Sequence, residues 1–339
     1  MELPRRILIG RGVIRRLEDF VEDSGVKGRV VVASGVNVQM KVRERVASSL
    51  HDSATWIEVT SSDVRNVRLV MRESKGVSCI IGIGGGKSVD VGKLAAHRLG
   101  LPFFSVPTSA SHDGISSPFA SIRGTGRHYS FKAKPPVGIL ADVDVIADAP
   151  KRLHAAGCGD LVSKLTAVKD WQLAHAVTGE YFGGYAANLS MMSATVVVEH
   201  SKRIGSFDKD AIRELVEALI STGVAAGIAG SSRPCSGAEH LFSHYLDVIA
   251  PGLGLHGEKC GLGTILVSAL HGMDWQKIRR ALKEVHAPTS GAELGLTDEM
   301  VVEAITNAPS IRPDRFTILS REKMGRKEAR ALAKRTQVI

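Results

Sequence analysis

Aromatic residues make up only 5% of the 339-residue chain, too few to build the stacking surface that single-stranded nucleic acid requires. Cysteine is scarcer still: Cys79, Cys158, Cys235 and Cys260 stand at wide, irregular spacings. Without a C-x-x-C pair they make no zinc knuckle, and a disulfide framework is not expected at this length. Buried, inert thiols are expected. No uninterrupted apolar run reaches the length of a membrane span. Met1-Glu2-Leu3-Pro4-Arg5-Arg6 lacks the apolar segment of a secretory signal, so a soluble, cytoplasmic protein is expected. The 35 glycines follow no G-X-Y period, which excludes a collagen-like fibre. Disorder is excluded too, because 44% hydrophobic and 23% charged residues are ordinary globular composition.

Acidic residues are the minority among the charges, 35 against 44 Lys and Arg, for a net charge of +9. Seven of the basic residues (Arg321, Lys323, Arg326, Lys327, Arg330, Lys334 and Arg335) fall near the end of the sequence, against Glu322 and Glu328. Their helical spacing reads as a solvated helix face. No groove-reading motif accompanies them, so nucleic acid is not an expected partner. A small acidic substrate such as a phosphate remains compatible.

Up to about residue 150 the chain alternates β-type runs with helical stretches, the rhythm of a parallel sheet covered by helices. The expected strands are Arg29–Ala33, Ala54–Val59, Ser78–Ile83, Pro102–Val106 and Val137–Leu140, with helical patterns at about 38–50, 63–75 and 87–99. Beyond Pro150 the sequence is Ala- and Leu-rich at 3.6 periodicity, with no convincing strand. The expectation is an α/β nucleotide-binding domain over 1–150 and an all-helical domain over 151–339, with ligands at the carboxyl ends of the strands in the cleft between them.

Chemistry concentrates in four places. The run Cys79-Ile80-Ile81-Gly82-Ile83-Gly84-Gly85-Gly86-Lys87-Ser88-Val89-Asp90 leads a buried strand through glycines into a helix, where backbone N–H groups can meet a phosphate. It is not a P-loop, since Ile81 stands where the first Gly belongs, and Lys87 replaces the third Gly of G-x-G-x-x-G. A tight strand-to-helix turn without a ligand is the plain alternative. Next, Pro107-Thr108-Ser109-Ala110-Ser111-His112-Asp113-Gly114-Ile115-Ser116-Ser117 offers hydroxyls for a ribose or amide and Asp113 for a substrate hydroxyl. On composition alone it reads equally as a polar surface loop.

The third place is Asp160, expected in the first turn of a helix after Gly157 and Gly159, with Lys164 one turn on along the same face. Lys164 would either reach a substrate phosphate or pair with Asp160. The fourth is His240 and His244 at i and i+4, followed by His256. Leu241 stands where a zincin has Glu. Asp160, His240 and His256 on separate helices would suit a divalent metal with an open position. The other histidines (His51, His97, His112, His128, His154, His175, His200, His271 and His286) read as ordinary core or surface residues.

Taken together, Gly84–Asp90, the Pro107–Gly114 segment, Gly159-Asp160, Ala167-Val168-Lys169-Asp170-Trp171 and His240…His244…His256 resemble the iron- or zinc-dependent, group III alcohol dehydrogenase superfamily. Within it they resemble the archaeal-type sn-glycerol-1-phosphate dehydrogenases. The resemblance covers about residues 5 to 320 in order. It implies a Rossmann-like domain followed by a helical one, with NAD or NADP and one divalent metal, most simply Zn²⁺. It further implies that Asp160, His240 and His256 hold the metal, and that Asp113, Asp160 and His244 touch substrate. The cofactor would lie against Gly84, Gly85, Gly86, Lys87, Ser88, Val89, Asp90, Thr108, Ser109, Ala110, Ser111 and Ser117. The implied substrates are dihydroxyacetone phosphate and sn-glycerol 1-phosphate, and a homo-oligomer is expected. Glycerol dehydrogenase, a non-catalytic nucleotide-binding regulator and 3-dehydroquinate synthase are the alternatives. The last implies Glu at the first metal position, where this sequence has Asp160. Ser34-Gly35-Val36-Asn37 lacks the carboxylate that selects NAD in many Rossmann sites, so relaxed cofactor choice is expected.

Overall fold

The structure is a computed structural model that describes residues 1–50, 54–124 and 128–339, apart from the side chains of 47–49, 128 and 129. His51 and the His128 side chain therefore lie outside the described residues. In chain order the elements begin with β1 (Arg6–Gly10), α1 (Leu17–Glu22), β2 (Val30–Ser34), α2 (Val36–Leu50), β3 (Ala54–Glu58), α3 (Val64–Glu73), β4 (Cys79–Gly84) and α4 (Gly86–Leu99). There follow β5 (Phe103–Pro107), β6 (Phe119–Arg123), β7 (His128–Lys132), β8 (Gly138–Asp142) and α5 (Val143–Ala147). Helices then take over: α6 (Lys151–Val162), α7 (Lys164–Thr178), α8 (Gly184–Glu199), α9 (Ser201–Ile204), α10 (Lys209–Ala229) and α11 (Ala238–Ile249). The last are α12 (His256–Leu270), α13 (Trp275–Glu284), α14 (Asp298–Asn307), α15 (Ile318–Glu322) and α16 (Arg326–Arg335).

Six parallel strands form one sheet in the order β1-β8-β5-β4-β2-β3. The inner strands are buried on both faces, as their continuous apolar runs dictate. Val32, Ile81, Phe104 and Leu140 pack on one side with Phe20, Val42 and Val46, while Val31, Ile80 and Phe103 pack on the other with Val67, Val70 and Leu94. The chain moves outward from β2 to β3 and then returns to lay β4 on the other flank of β2. This reversal opens a crevice at the carboxyl ends of β2 and β4, the place where ligands of open α/β sheets bind. Ser34 is the register partner of Ile83, so Gly84–Gly86 emerge at that point.

All five expected strands are present. Two features were not expected: β1, an edge strand, and the antiparallel hairpin β6–β7. The chain divides into two compact units, Met1–Pro150 with Asp208–Ile228, and Lys151–Phe207 with Ala229–Ile339. A single cut after Pro150 is thus incomplete, because α10 joins the first unit. There Ser116 Oγ donates to the Ile220 carbonyl at 2.9 Å, and Gly223 makes room for the 113–117 backbone. A Cβ at Gly223 would lie 2.0 Å from Ser116 Oγ. The second unit contains no strand among its described residues. No helix among the described residues is long and apolar enough to cross a membrane.

Candidate active site

In the first unit, β4 runs into α4 through three glycines whose missing side chains admit close neighbours. Gly84 has φ +152°, and a Cβ there would lie 2.6 Å from Ser88 Oγ. A Cβ on Gly85 or Gly86 would come to 3.3 Å from Ser109 Oγ or 3.0 Å from His112 Cε1. The Thr108 N–H donates to the Gly84 carbonyl at 3.0 Å, so the glycine turn and the Thr108–His112 segment are joined. No side chain caps the amino end of α4, whose first amides are therefore open to an anion. Thr108, Ser109, Ala110 and Ser117 are buried in this loop, as are Ser88 and Val89 on α4. Lys87 is exposed, and its ammonium donates to the Thr60 carbonyl at 3.1 Å.

Asp90 is occupied by the protein itself. Its carboxylate accepts from Lys93 Nζ at 3.2 Å and from the Ser121 N–H at 3.0 Å. Lys93, 1% exposed, also donates to the carbonyls of Gly114 (2.6 Å) and Phe119 (2.7 Å), pinning both ends of the Asp113 loop to α4. Burial pushes the Lys93 ammonium below the usual lysine range, against the opposing pull of Asp90 and Asp113. Sequence reasoning passed over Lys93, whose carbonyl partners Gly114 and Phe119 lie more than twenty residues away. It also set His112 among the ordinary histidines, yet the ring sits against the glycine turn.

In the second unit, three helices meet through glycine. A Cβ on Gly159 of α6 would lie 2.3 Å from the Gly257 carbonyl oxygen of α12, and one on Gly257 would lie 1.9 Å from the Ala156 carbonyl oxygen. Gly263 of α12 similarly faces the Glu239 backbone of α11 at 3.0 Å. These contacts correct the reading of Asp160: it occupies the last turn of α6, not a first turn. The glycines before it do not open a helix. They lie inside one, where they allow backbone to pack on backbone.

This close packing gathers Asp160, His240 and His256, joined by Cys260 from α12. One donor atom from each lies within 4.8 Å of the others. Asp160 Oδ1 is 3.5 Å from His240 Nε2, and the His240 and His256 ring centroids are 5.1 Å apart. The opposite ring edges are held by neighbours. His240 Nδ1 is 2.9 Å from Glu239 Oε1, and His256 Nδ1 is 3.3 Å from Ser243 Oγ. A carboxylate oxygen, two imidazole nitrogens and a sulfur, buried except for the half-buried His256 and with the outer imidazole nitrogens engaged, are a donor set suited to a divalent transition metal. His244 stacks on His256 at 5.5 Å and lies 3.9 Å from Asp247.

Lys164 takes the pairing alternative rather than the phosphate one. It is completely buried and donates to Asp160 Oδ1 at 2.8 Å. Burial drives the Asp160 carboxyl upward, but Lys164 and His240 outweigh it and hold the group well below the usual carboxylate range. Burial lowers His240 as well, and Cys260, Asp160 and Glu239 together raise it well above an ordinary histidine. His256 is pushed well below by burial and by the other two histidines. His244 is lowered by burial despite Asp247.

A second layer escaped sequence reasoning. Glu239 also accepts from the Gly237 N–H (2.7 Å) and from Thr166 Oγ1 (3.0 Å). Asp170 accepts the Ala238 and Ile318 N–H groups at 2.6 and 2.7 Å and pairs with His271 at 3.0 Å. Glu258 accepts the Leu255 N–H and a two-pronged contact from Arg152, which fastens the first turn of α12, and hence His256, to α6. The only local signal was an acidic residue in the first turn of α11 and of α12.

Residues 8–150 match the family model of the iron-containing alcohol dehydrogenases. A relative from Nitrosopumilus maritimus (strain SCM1), named as an NAD(P)+ glycerol-1-phosphate dehydrogenase, is 48% identical, covering 100% of this chain and 97% of its own. The chain belongs to the glycerol-1-phosphate dehydrogenase family. A second member, from Pyrococcus horikoshii, is also 48% identical, over 100% of this chain and 99% of its own. The crystal structure of glycerol dehydrogenase from Schizosaccharomyces pombe superposes with a TM-score of 0.82 at 22% identity, covering 99% and 89% of the two chains. At that identity it speaks for the fold alone, a Rossmann-like sheet domain followed by helices.

Proposed function

We propose that this member of the family catalyses the reversible, NAD(P)H-dependent reduction of dihydroxyacetone phosphate to sn-glycerol 1-phosphate, the backbone of archaeal membrane phospholipids. The observation that carries the reading is the close Asp160–His240–His256 group in a chain 48% identical, end to end, to a protein named for this activity. Asp160, His240 and His256 would hold the metal, with zinc the best match to the donors. The glycine turn and the Thr108–Ser111 loop would hold the dinucleotide, whose phosphates suit the uncapped amides of α4. When bound, the nicotinamide supplies hydride and the metal supplies Lewis acidity at the substrate carbonyl.

The remaining work falls to the chain. Glu239 and Ser243 fix the imidazole edges, so that His240 and His256 present Nε2 to the group. Lys164 balances the Asp160 charge at 2.8 Å and acts as a positioning residue rather than as a phosphate contact. His244, Asp113 or a bound water would deliver the proton that completes the new hydroxyl.

The four buried, free thiols fit a reducing cytoplasm. The exposed Val177, Tyr181, Tyr185 and Met192, between 56% and 74% accessible, fit a face covered in a homo-oligomer. The test is NADH and NADPH oxidation with dihydroxyacetone phosphate, run beside dihydroxyacetone and with the enantiomer of the product determined. Preference for the phosphorylated ketone and formation of the sn-1 enantiomer are expected. Equal rates with both ketones, or the sn-3 enantiomer, would refute the reading.

A further inference from the structure

Cys260 lies one turn beyond His256 on α12 and is fully buried. Its Sγ is 3.5 Å from His256 Nε2 and shares with Asp160, His240 and His256 the cluster in which all donor atoms lie within 4.8 Å. Building on the metal reading above, we propose that Cys260 is a fourth protein ligand, bound as a thiolate, and that it selects zinc over harder divalent ions.

Distance supports this first. Zinc bonds of about 2.05 Å to nitrogen and about 2.3 Å to sulfur, at a tetrahedral angle, leave the two donors about 3.6 Å apart. His256 Nε2 and Cys260 Sγ are 3.5 Å apart before any ion is added. The 3.5 Å between Asp160 Oδ1 and His240 Nε2 is close to the corresponding O···N edge, about 3.4 Å.

Charge supports it independently. Among side chains touching the group, Asp160 and Glu239 are anionic and Lys164 is cationic. A divalent ion bound by two neutral imidazoles would leave one positive charge uncompensated in a buried place, which is costly. A Cys260 thiolate brings the sum to zero. The adjacent His244–Asp247–His256 group lacks that balance, because Lys259 already cancels Asp247 and no thiol is present. Soft sulfur also favours zinc or cobalt over magnesium, calcium or manganese. A catalytic ion must still accept a substrate oxygen, so Cys260 is a ligand of the resting site, and five-coordination or release of sulfur would accommodate substrate.

The experiment is the absorption spectrum of the full chain loaded with cobalt(II). A thiolate on cobalt(II) gives an intense near-ultraviolet charge-transfer band, while weaker visible bands report bound cobalt whatever its ligands. Wild type and Cys158→Ser should show both. Cys260→Ser and Cys260→Ala should keep the visible bands and lose the near-ultraviolet one, and Cys260→Ser should bind zinc at least about tenfold more weakly in competition with a chelator. Visible bands without the charge-transfer band in wild type would overturn Cys260 ligation and leave the metal reading standing. Absence of both would overturn the two together. If neither Cys260 variant folds, the wild-type and Cys158→Ser spectra decide, and loss of the band in Cys158→Ser would assign the sulfur elsewhere.

Discussion

Replacing Gly159 by Ala should disable the metal site without touching any ligand. The added Cβ would stand 2.3 Å from the Gly257 carbonyl oxygen, so α6 and α12 must part by about 1 Å to restore ordinary contact at 3.4 Å. Ala is favoured over Gly inside a helix by about 1 kcal/mol. Overpacking a core commonly costs about 1–3 kcal/mol, and here the obstacle is backbone, which cannot rotate away. The clash should win, for a net loss of up to about 2 kcal/mol. Function should suffer more. Asp160 follows Gly159 directly and His256 precedes Gly257, so parting the helices pulls apart two of the proposed ligands, and a misplacement of about 1 Å can cost about a hundredfold in rate. Gly184, at the start of α8 with nothing within 4 Å of its would-be Cβ, is the control, and Gly184→Ala should be neutral or slightly stabilising. Thermal unfolding, zinc content and kcat/KM should be measured on both variants. A Gly159→Ala protein as stable as wild type, with a full complement of zinc and full activity, would refute the packing account.

Other consequences are open to measurement. Glu239→Gln, which weakens the support of His240, should lower zinc affinity about ten- to a hundredfold, and an unchanged dissociation constant would show that Glu239 only shapes the helix end. Lys93→Met strands the Asp90 carboxylate and frees the Asp113 loop; a loss of about 3–5 kcal/mol in chemical unfolding is expected, and an unshifted midpoint counts against the pin. Asp160→Asn and His256→Ala should abolish turnover while far-ultraviolet circular dichroism stays near wild type, because the second unit has its own apolar core; global unfolding at room temperature would contradict that division. NAD and NADP should both serve, since Ser34–Asn37 offers neither a carboxylate nor an arginine to the ribose, and a kcat/KM ratio beyond a few hundredfold would contradict this.

Strands β2, β4, β5 and β8 were legible because each is a short apolar run between turn signals, the pattern of strands covered on both faces, whereas β3 at the sheet edge buries only Ile57. Strand β1 was not legible, because Arg6 and Ile7 are exposed at the sheet edge and Arg5-Arg6 masks the run. The β6–β7 hairpin lacks a two-residue turn signal, and Ala120, Ile122 and the partly buried Phe131 pack on the core from among many polar residues. Asp160, His240 and His256 could be picked out by residue type as a candidate group, and the fold brings them together, but the helix position of Asp160 could not be read. A glycine that opens a helix and one that lets two helices touch look alike in sequence. Glu239, Asp170 and Lys93 were hidden for a related reason: their roles depend on partners brought close only by the fold. Cys260 was read as inert, a description that still fits Cys79, whose thiol burial pushes up to about 12.

The most direct test of the central claim is a zinc titration of chelator-treated protein, followed by NADH oxidation in the presence of dihydroxyacetone phosphate. The Asp160–His240–His256 group predicts negligible activity at the start, a linear rise, and a plateau at one zinc per chain. Full turnover in the metal-free protein, or zinc binding with no gain in reduction of dihydroxyacetone phosphate, would contradict it.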